Sequence, residues 1–224
     1  MKLLSTSNTK LEKGSAFGYL TFGLSLAPHK LSGKNFCPHA SAGCAAACLN
    51  TAGMGVFSNV QAARLKKSLM FIKSRPEFLN QLLKEIALAE KKVKKLQKLL
   101  AIRLNVLSDL PWENLGIIQK FPLVQFYDYT KNPLRMKNFL AGKFPPNYHL
   151  TFSRSEENQS SVEEIVSLGG NVAVVFRNEL PEKYLDKSVV NGDESDLRFL
   201  DKKSVVVGLS MKGKAKKDES GFVV

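Results

Sequence analysis

The stretch FGYLTFGLSLAPHKLSGKNFCPHASAGCAAAC, residues 17–48, places an apolar run directly before three cysteines. Residues 17–26 are rich in aromatic and aliphatic side chains with some alternation, which predicts a first strand. Cys37, Cys44 and Cys48 follow with the spacing C-x6-C-x3-C, and they are all the cysteines of the chain. Ligands bind beyond the carboxyl ends of strands in parallel α/β folds, so this stretch bears on fold and function together.

Strand-like runs recur at regular intervals after this stretch. They cover residues 100–109, 123–130, 147–155, 171–177 and 203–210. Short helical patterns lie between several of them, at residues 111–120, 132–142 and 160–170, whereas 178–202 is predicted to be a long loop. This alternation predicts a mainly parallel sheet, either open and doubly wound or a partial (β/α)6 barrel. The cysteine loop favours the partial barrel, in a single α/β domain over residues 1–224.

The long region between the cysteines and the second strand is basic and helical. We divide it into a cysteine loop, residues 36–53, and a basic helical segment, residues 58–98. Residues 61–103 hold twelve Lys or Arg and three Glu, within a net charge of +13 for the chain. Such a balance favours nucleic acid as a partner, bound through the lysine-rich helix. A solvated helix face is the alternative interpretation.

Length and composition exclude several classes of protein. The 224 residues suffice for one sizeable domain, and 44% hydrophobic with 24% charged residues is typical of a globular chain. No apolar run is long enough to span a bilayer, and residues 1–10 lack the apolar core of a secretory signal. We therefore expect a cytoplasmic protein without a membrane partner. Three cysteines in a reducing compartment argue against a disulfide framework.

Three interpretations of the cysteine loop remain open. The thiols can be small buried residues in an alanine-rich turn. They can bind zinc with His39 as the fourth ligand, although Cys37 and His39 are only two positions apart. They can also hold a 4Fe-4S cluster through three irons, since soft thiolates suit that cluster. The fourth iron then stays open for a small-molecule ligand, a substrate or S-adenosylmethionine.

Polar residues at the predicted strand ends form a candidate active site. In a parallel barrel these ends converge on one mouth. The segment YDYTK supplies candidate catalytic residues, a carboxylate, a phenol and an ammonium group: Asp128, Tyr129 and Lys131. Candidate substrate-binding residues follow the neighbouring strands: Asn105, Asp109, Ser153 and Arg154. The alternative for the two aspartates is that they cap the helices that follow them.

Several segments resemble a known family. LSLAPHKLSGKNFCPHASAGCAAACLNTAG, RLNVLSDLPWE, FYDYTKNP, LTFSRSEEN and NGDESDLRFLDKKSVVVGLSMKGK are similar to the bacteriophage family called gene product 88. That resemblance implies a phage origin and hence a bacterial host cytoplasm. It does not imply any particular activity. More distantly, the layout is similar to radical S-adenosylmethionine enzymes, which bind a 4Fe-4S cluster after the first strand of a six-unit partial barrel. Their usual C-x3-C-x2-C spacing differs from the spacing here, so this resemblance implies the cluster more than the reaction.

Overall fold

A computed structural model describes residues 1–6 and 13–224 of the chain. Its strands are β1 (Leu4–Ser5), β2 (Tyr19–Leu24), β3 (Leu99–Arg103), β4 (Gln125–Thr130), β5 (Tyr148–Ser153), β6 (Val172–Phe176), β7 (Lys183–Tyr184), β8 (Lys187–Asn191) and β9 (Val206–Ser210). Its α-helices are α1 (Ala42–Ala46), α2 (Ser58–Lys73), α3 (Arg75–Lys95), α4 (Pro133–Leu140) and α5 (Gln159–Ser167). Several short 3-10 turns connect these elements.

The strands form one mixed, mostly parallel sheet. Their order in space is β1-β2-β3-β4-β5-β6-β9-β8-β7. All pairs from β2 through β9 to β8 are parallel, whereas β1 and β7 pair antiparallel at the two ends. The six predicted strands are β2 to β6 and β9, so the predicted α/β class with mainly parallel strands is confirmed. The sheet is open rather than closed, and the predicted barrel is not confirmed.

Helices α2 to α5 pack against one face of this sheet. The main core joins the apolar strand residues of that face, such as Phe22, Ile102 and Phe126, to helix residues such as Leu82 and Ile165. Alternation along each strand explains the division, because successive side chains point to opposite faces. The helices therefore cover one face of the sheet and leave the other to different partners.

Helix α3 has the one-sided apolar stripe that its sequence predicts. Pro76 and Glu77 occupy its first turn, where a missing N–H group and a negative charge are both tolerated. Its buried positions recur every three or four residues, namely Phe78, Leu82, Ile86, Ala89 and Val93. The stripe ends before Leu96, which is the C-cap and is exposed. The described basic helical segment thus consists of the two helices α2 and α3.

The other face of the sheet, which we call the second face, is covered by the chain itself. Residues 192–201, the crossing segment, connect β8 to β9 and lie against β2, β4 and β5. Leu197 packs with Ala101 and Tyr127, and the ring of Phe199 contacts the rings of Tyr19 and Tyr127. The second face is therefore partly apolar, but much of its remainder is polar.

Buried polar atoms without a hydrogen-bond partner are concentrated on the second face. Within the described part of the chain they include Thr21 Oγ1, Arg103 Nε, Tyr129 OH, His149 Nε2, Thr151 Oγ1 and Arg198 Nε. Each buried polar group left unsatisfied costs about 1–3 kcal/mol. Six of them together would approach the stability of a whole domain, about 5–15 kcal/mol. These atoms therefore require water or a ligand as their partner.

Two expectations about connections were wrong. Residues 178–202 contain β7, β8 and a 3-10 turn at Arg198–Leu200, rather than a loop without structure. The β7–β8 hairpin is too short to give a periodic sequence signal. Residues 111–120, predicted as a short helix, form two 3-10 turns at Trp112–Leu115 and Ile118–Lys120. Gly116, in the left-handed conformation, separates these turns and prevents one continuous helix.

Among the helices of the described residues, we find none with the length and apolar character that crossing a membrane requires.

Candidate metal centre at the carboxyl edge of the sheet

The cysteine loop follows β2 and lies at the carboxyl edge of the sheet. Within it, α1 carries Cys44 and has Ser41 as its N-cap, whose hydroxyl accepts the N–H of Cys44 at 3.2 Å. The carboxylate of Glu156, which follows β5, accepts the Ser41 hydroxyl at 2.7 Å and the Gly43 N–H at 2.6 Å. A carboxylate at the start of a helix is favourable because it satisfies free N–H groups there. Glu156 thus fixes the position of Cys44.

The three thiols lie near one another, but Cys44 and Cys48, four positions apart, do not share one helix. Helix α1 ends at Ala46, and Cys48 instead caps the next 3-10 turn. All three are half-buried and free of disulfides. Burial, together with the neighbouring Cys48 and Cys44, raises the pKa of Cys37 to about 12. Burial likewise raises the pKa values of Cys44 and Cys48, so thiolates here need a positive partner.

Backbone groups already hydrogen-bond to two of the sulfurs. The His29 N–H donates to Cys37 Sγ at 3.5 Å, and the Asn50 N–H donates to Cys48 Sγ at 3.5 Å. The Cys37 thiol donates to the carbonyl of Leu107 at 3.4 Å. Amide hydrogen bonds to sulfur stabilise thiolates and adjust the properties of bound metals.

Two cationic side chains stand beside the thiols. Lys131 donates from Nζ to Ser153 Oγ at 2.6 Å and to the Arg154 carbonyl at 3.1 Å. Burial lowers the pKa of Lys131, while Cys44 acts in the opposite direction. Arg64, on α2, donates to the carbonyl and side-chain oxygens of Asn50 at 3.0 and 2.8 Å, and its charge lowers the pKa of Cys48. Both cations favour negative charge on sulfur.

The C-terminal segment, residues 211–224, covers one side of this site. Ala215 and Val223 are buried against Ala47 of the cysteine loop. The Val224 N–H donates to the carbonyl of Val175 on β6 at 2.9 Å. The N–H of Arg177, the residue after β6, donates to the Val224 carbonyl at 2.8 Å. The segment therefore limits access to the thiols.

Predicted residue Arg154 holds the C-terminal segment in place. Its Nη1 donates to the carbonyls of Gly221 and Phe222 at 2.7 and 3.1 Å. The ring of Phe222 lies 5.4 Å from Lys131 Nζ, measured to the ring centroid. Arg154 and Ser153 thus lie at the mouth together with Lys131. Their predicted role in binding a substrate stays a prediction.

Asp109 links the mouth to the interior of the protein. Its Oδ2 accepts the backbone N–H of Lys131 at 2.8 Å and the Thr130 hydroxyl at 3.1 Å. Its Oδ1 pairs with Arg135 at 3.0 Å. Asp109 therefore fixes the end of β4 instead of capping the turn that follows it. Asn132 is the N-cap of α4.

Asp128 lies beneath the mouth on the helix-covered face and is fully buried. Its Oδ1 accepts the backbone N–H of Asn105 at 2.7 Å, and its Oδ2 accepts Asn105 Nδ2 at 3.2 Å and the Tyr148 hydroxyl at 2.7 Å. Arg135 donates to the same hydroxyl and forms a bidentate pair with Glu113. We call these residues the Asp128 network. Every oxygen of Asp128 is engaged, and Asn105 serves this network rather than the mouth.

Tyr129 points away from Asp128, because adjacent strand residues alternate in direction. It lies on the second face, where the guanidinium of Arg103 stacks at 4.5 Å from its ring centroid. The segment YDYTK thus divides between two faces: Lys131 is beside the thiols, Tyr129 lies on the second face and Asp128 is in its own network. Strand alternation could have predicted this division from the sequence.

The sequence did not reveal Glu156, Arg64 and Phe222 as neighbours of the thiols. Glu156 follows the end of β5, so the rule that strand ends share one edge could have pointed to it. Arg64 and Phe222 gave no signal, since one lies on a helix and the other near the C-terminus. Two shallow cavities, each bordered by Pro122 and Asn147, lie at the amino edge, away from all these residues.

No group of three or more His, Cys, Asp or Glu side chains in residues 1–6 and 13–224 is arranged to hold one metal ion. A single zinc requires every sulfur at about 2.3 Å from the same ion. Three thiolates that each bind a different iron of one cluster stand farther apart. The described residues therefore contain no preformed site for a single metal ion.

Fold and site together define an α/β protein with an open, mostly parallel sheet and a three-cysteine loop at its carboxyl edge. Comparison with protein families goes further: a family model described as Gene product 88 matches residues 2–224, and the chain belongs to this bacteriophage family. No curated protein and no solved structure matches the chain. The predicted resemblance to the phage family is confirmed, and the likeness to radical S-adenosylmethionine enzymes stays a prediction.

Proposed function

We propose that this phage protein is an iron-sulfur protein that binds a 4Fe-4S cluster through Cys37, Cys44 and Cys48. The observation that carries the proposal is the meeting of all cysteines of the chain at the carboxyl edge of a parallel sheet. This is the edge at which parallel α/β proteins bind ligands. Three thiolates would leave one iron open to a small molecule.

The residues around the thiols support this cofactor. Lys131 and Arg64 offset the negative charge of thiolates, and the N–H groups of His29 and Asn50 are directed at sulfur. When bound, the cluster would supply electron transfer and a Lewis-acidic iron. The protein itself orients the thiols through Glu156 and restricts water through the C-terminal segment. Zinc with His39 remains the alternative metal, although the side chain of His39 is exposed.

The order of the strands supports a barrel-like architecture. Strands β2 to β6 lie side by side in the order in which they follow one another in the chain. Strand β9 continues this order next to β6, and the β7–β8 hairpin lies beyond β9. A doubly wound sheet reverses direction at a switch point, whereas a barrel advances in one direction. We therefore propose a partial (β/α)6 barrel as the architecture. S-adenosylmethionine is the proposed ligand of the open iron, in a redox or radical reaction.

Purification without oxygen tests the cluster directly. We expect a brown protein with about four irons and an equal amount of labile sulfide per chain, measured by colorimetric assay and absorption spectroscopy. Replacing Cys37, Cys44 or Cys48 with Ala should remove most of the iron, because each thiolate holds a different iron atom.

The variant Ala45→Ser is a matched control, since Ala45 is exposed in the same loop and should retain the iron. Colourless wild-type protein with one zinc per chain would replace the cluster with the zinc alternative. Protein that takes up neither metal would leave the thiols as buried structural residues.

Nucleic-acid binding is a second candidate function, favoured by the surface of α3. Lys91, Lys92, Lys94 and Lys95 are all exposed near its end, and no ion pair among the described residues engages them. Lys98 differs, because it donates to Ser15 Oγ at 2.6 Å. Four uncompensated charges in two helical turns form a surface to which a phosphate backbone can bind.

Charge reversal tests this surface. Wild-type protein should bind DNA without sequence preference, and affinity should fall steeply with salt, as measured by fluorescence anisotropy. Changing the four α3 lysines to Glu should abolish binding. The matched control reverses four exposed lysines elsewhere, Lys120, Lys143, Lys202 and Lys203, and changes the net charge equally. Equal losses in both variants would mean that net charge, not this helix face, attracts the DNA.

A further inference from the structure

The second face holds a set of buried polar groups that the cysteine site does not use. Thr151 and Arg198 are 0% and 2% exposed, yet Thr151 Oγ1 and Arg198 Nε have no hydrogen-bond partner in the described part of the chain. The same is true of Tyr129 OH, Arg103 Nε and His149 Nε2. We call these five residues the polar cluster. Thr21 is unpartnered too, but it lies on β2, three strands away from Thr151.

The polar cluster is compact. Tyr129 and Thr151 are direct neighbours on the paired strands β4 and β5, so their side chains lie on the same face. Arg103, on β3, stacks on the Tyr129 ring at 4.5 Å. Arg198, in the crossing segment, belongs to a 3-10 turn that packs against β5. Three adjacent strands and the crossing segment thus direct polar atoms toward one place.

The acids near the cluster are already paired with its arginines. Asp196 accepts two hydrogen bonds from Arg103 Nη1, at 2.9 and 3.2 Å, and one from Tyr127 at 3.3 Å. Asp201 forms an ion pair with Arg198 Nη1 at 3.3 Å. Both pairings use the ends of the guanidinium groups and leave each Nε–H free. Arg198 Nη1 and Asp201 Oδ2 form an ion pair, yet neither atom has a hydrogen-bond partner among the described residues. The groups that remain are therefore mainly donors.

The imidazole of His149 is uncharged at neutral pH. Burial and the charge of Arg198 lower the pKa of His149 to about 4. Two guanidinium groups, those of Arg103 and Arg198, stand in the cluster, each beside one carboxylate. Free N–H donors of guanidinium groups, together with free hydroxyls, are complementary to an anionic oxygen.

We infer that the polar cluster is a binding site for a small oxyanion, the phosphate or carboxylate group of a ligand. Arg103 Nε, Arg198 Nε and the hydroxyls of Tyr129 and Thr151 donate to its oxygens. The inference goes beyond the proposed metal centre, since none of these groups is a cysteine or contacts one.

The sheet supplies a polar path from the mouth to this site. Ser153 lies two residues beyond Thr151 on β5 and so shares its face, and Lys131 directly follows the end of β4. Lys131 Nζ and Ser153 Oγ bond to each other at 2.6 Å. The crossing segment covers the cluster from the other side. An oxyanion therefore enters from the carboxyl edge.

Calorimetric titration of the full-length protein with inorganic phosphate, in chloride buffer, tests the site. Wild-type protein should bind one phosphate per chain. Arg198→Gln should weaken binding by about tenfold or more, because it removes a charge-assisted donor. Thr151→Val keeps the shape of the side chain and should weaken binding by about fivefold through loss of one hydroxyl. Lys137→Gln, on the surface of α4, is the control and should bind as wild type does.

Acetate, titrated in parallel, distinguishes the two sources of the oxyanion. Tighter binding of acetate than of phosphate, with the same loss in the two variants, assigns the site to a carboxylate. The inference would be overturned if wild type, Thr151→Val and Tyr129→Phe bound the anions with the same affinity, or if neither anion bound. If Arg198→Gln fails to fold by circular dichroism, the two nearly isosteric variants decide, and neither outcome depends on whether iron is bound.

Discussion

Neighbouring residues of β4 lie in two opposite kinds of polar environment. Asp128 faces the helices, and all of its oxygen atoms have partners in the Asp128 network. Tyr129 faces the second face, and its hydroxyl has no partner among the described residues. The Asp128 carboxyl and the Tyr129 hydroxyl are both buried. They therefore differ in whether they have hydrogen-bond partners, not in their exposure to solvent. A complete network stabilises the fold by itself, whereas an incomplete one depends on something added to it.

The largest effect should come from removing the centre of the complete network. Asp128→Ala should lower the free energy of unfolding by about 3–5 kcal/mol, because Asn105 and Tyr148 lose their common acceptor. Urea unfolding followed by circular dichroism measures this. Glu157→Ala, at an exposed carboxylate, should change stability by less than about 0.5 kcal/mol. A loss of that small size in Asp128→Ala would contradict a structural role for the network.

The pH dependence of stability should differ between the wild-type protein and the variant Asp128→Asn. Burial raises the pKa of Asp128 to about 7, against the opposing effects of Arg135 and Tyr148. Between about pH 4 and 7 the folded carboxyl keeps a proton that the unfolded chain has lost, so stability falls as the pH rises. The slope should approach at most about 1.4 kcal/mol per pH unit. Asp128→Asn should lack this component, and parallel curves for variant and wild type would refute the raised pKa.

The smallest effect, and the sharpest contrast, should come from two matched substitutions. Tyr148→Phe removes a hydroxyl between Asp128 and Arg135 and should cost about 1–3 kcal/mol. Tyr129→Phe removes a hydroxyl without a partner and should leave stability unchanged or raise it by up to about 1 kcal/mol. Both are measured by urea unfolding in chloride buffer after dialysis against it. Equal losses would show that Tyr129 has a partner in the folded protein, and the contrast between the faces would disappear.

The sequence predicted the strands well because β3, β6 and β9 are largely apolar and β4 and β5 are rich in aromatic and β-branched residues. It also identified Lys131, Ser153 and Arg154 near the cysteine loop, because strand ends share an edge. It failed where a contact joins distant segments. Nothing in residues 192–201 indicates that Arg198 lies beneath β5, and nothing near Glu156 indicates that it caps α1. Grouping Tyr129 with Asp128 was a different error, because two-residue periodicity already separates them.

The position of the C-terminal segment has a consequence for biosynthesis. Ala215, Phe222 and Val223 pack beside a loop that the ribosome completes long before it makes them. Translation adds about 5–20 residues per second, so roughly ten seconds or more separate Cys48 from Val223. During that interval the nascent loop has no cover from residues 211–224. The proposed cluster would therefore reach the thiols most easily before residues 211–224 are made.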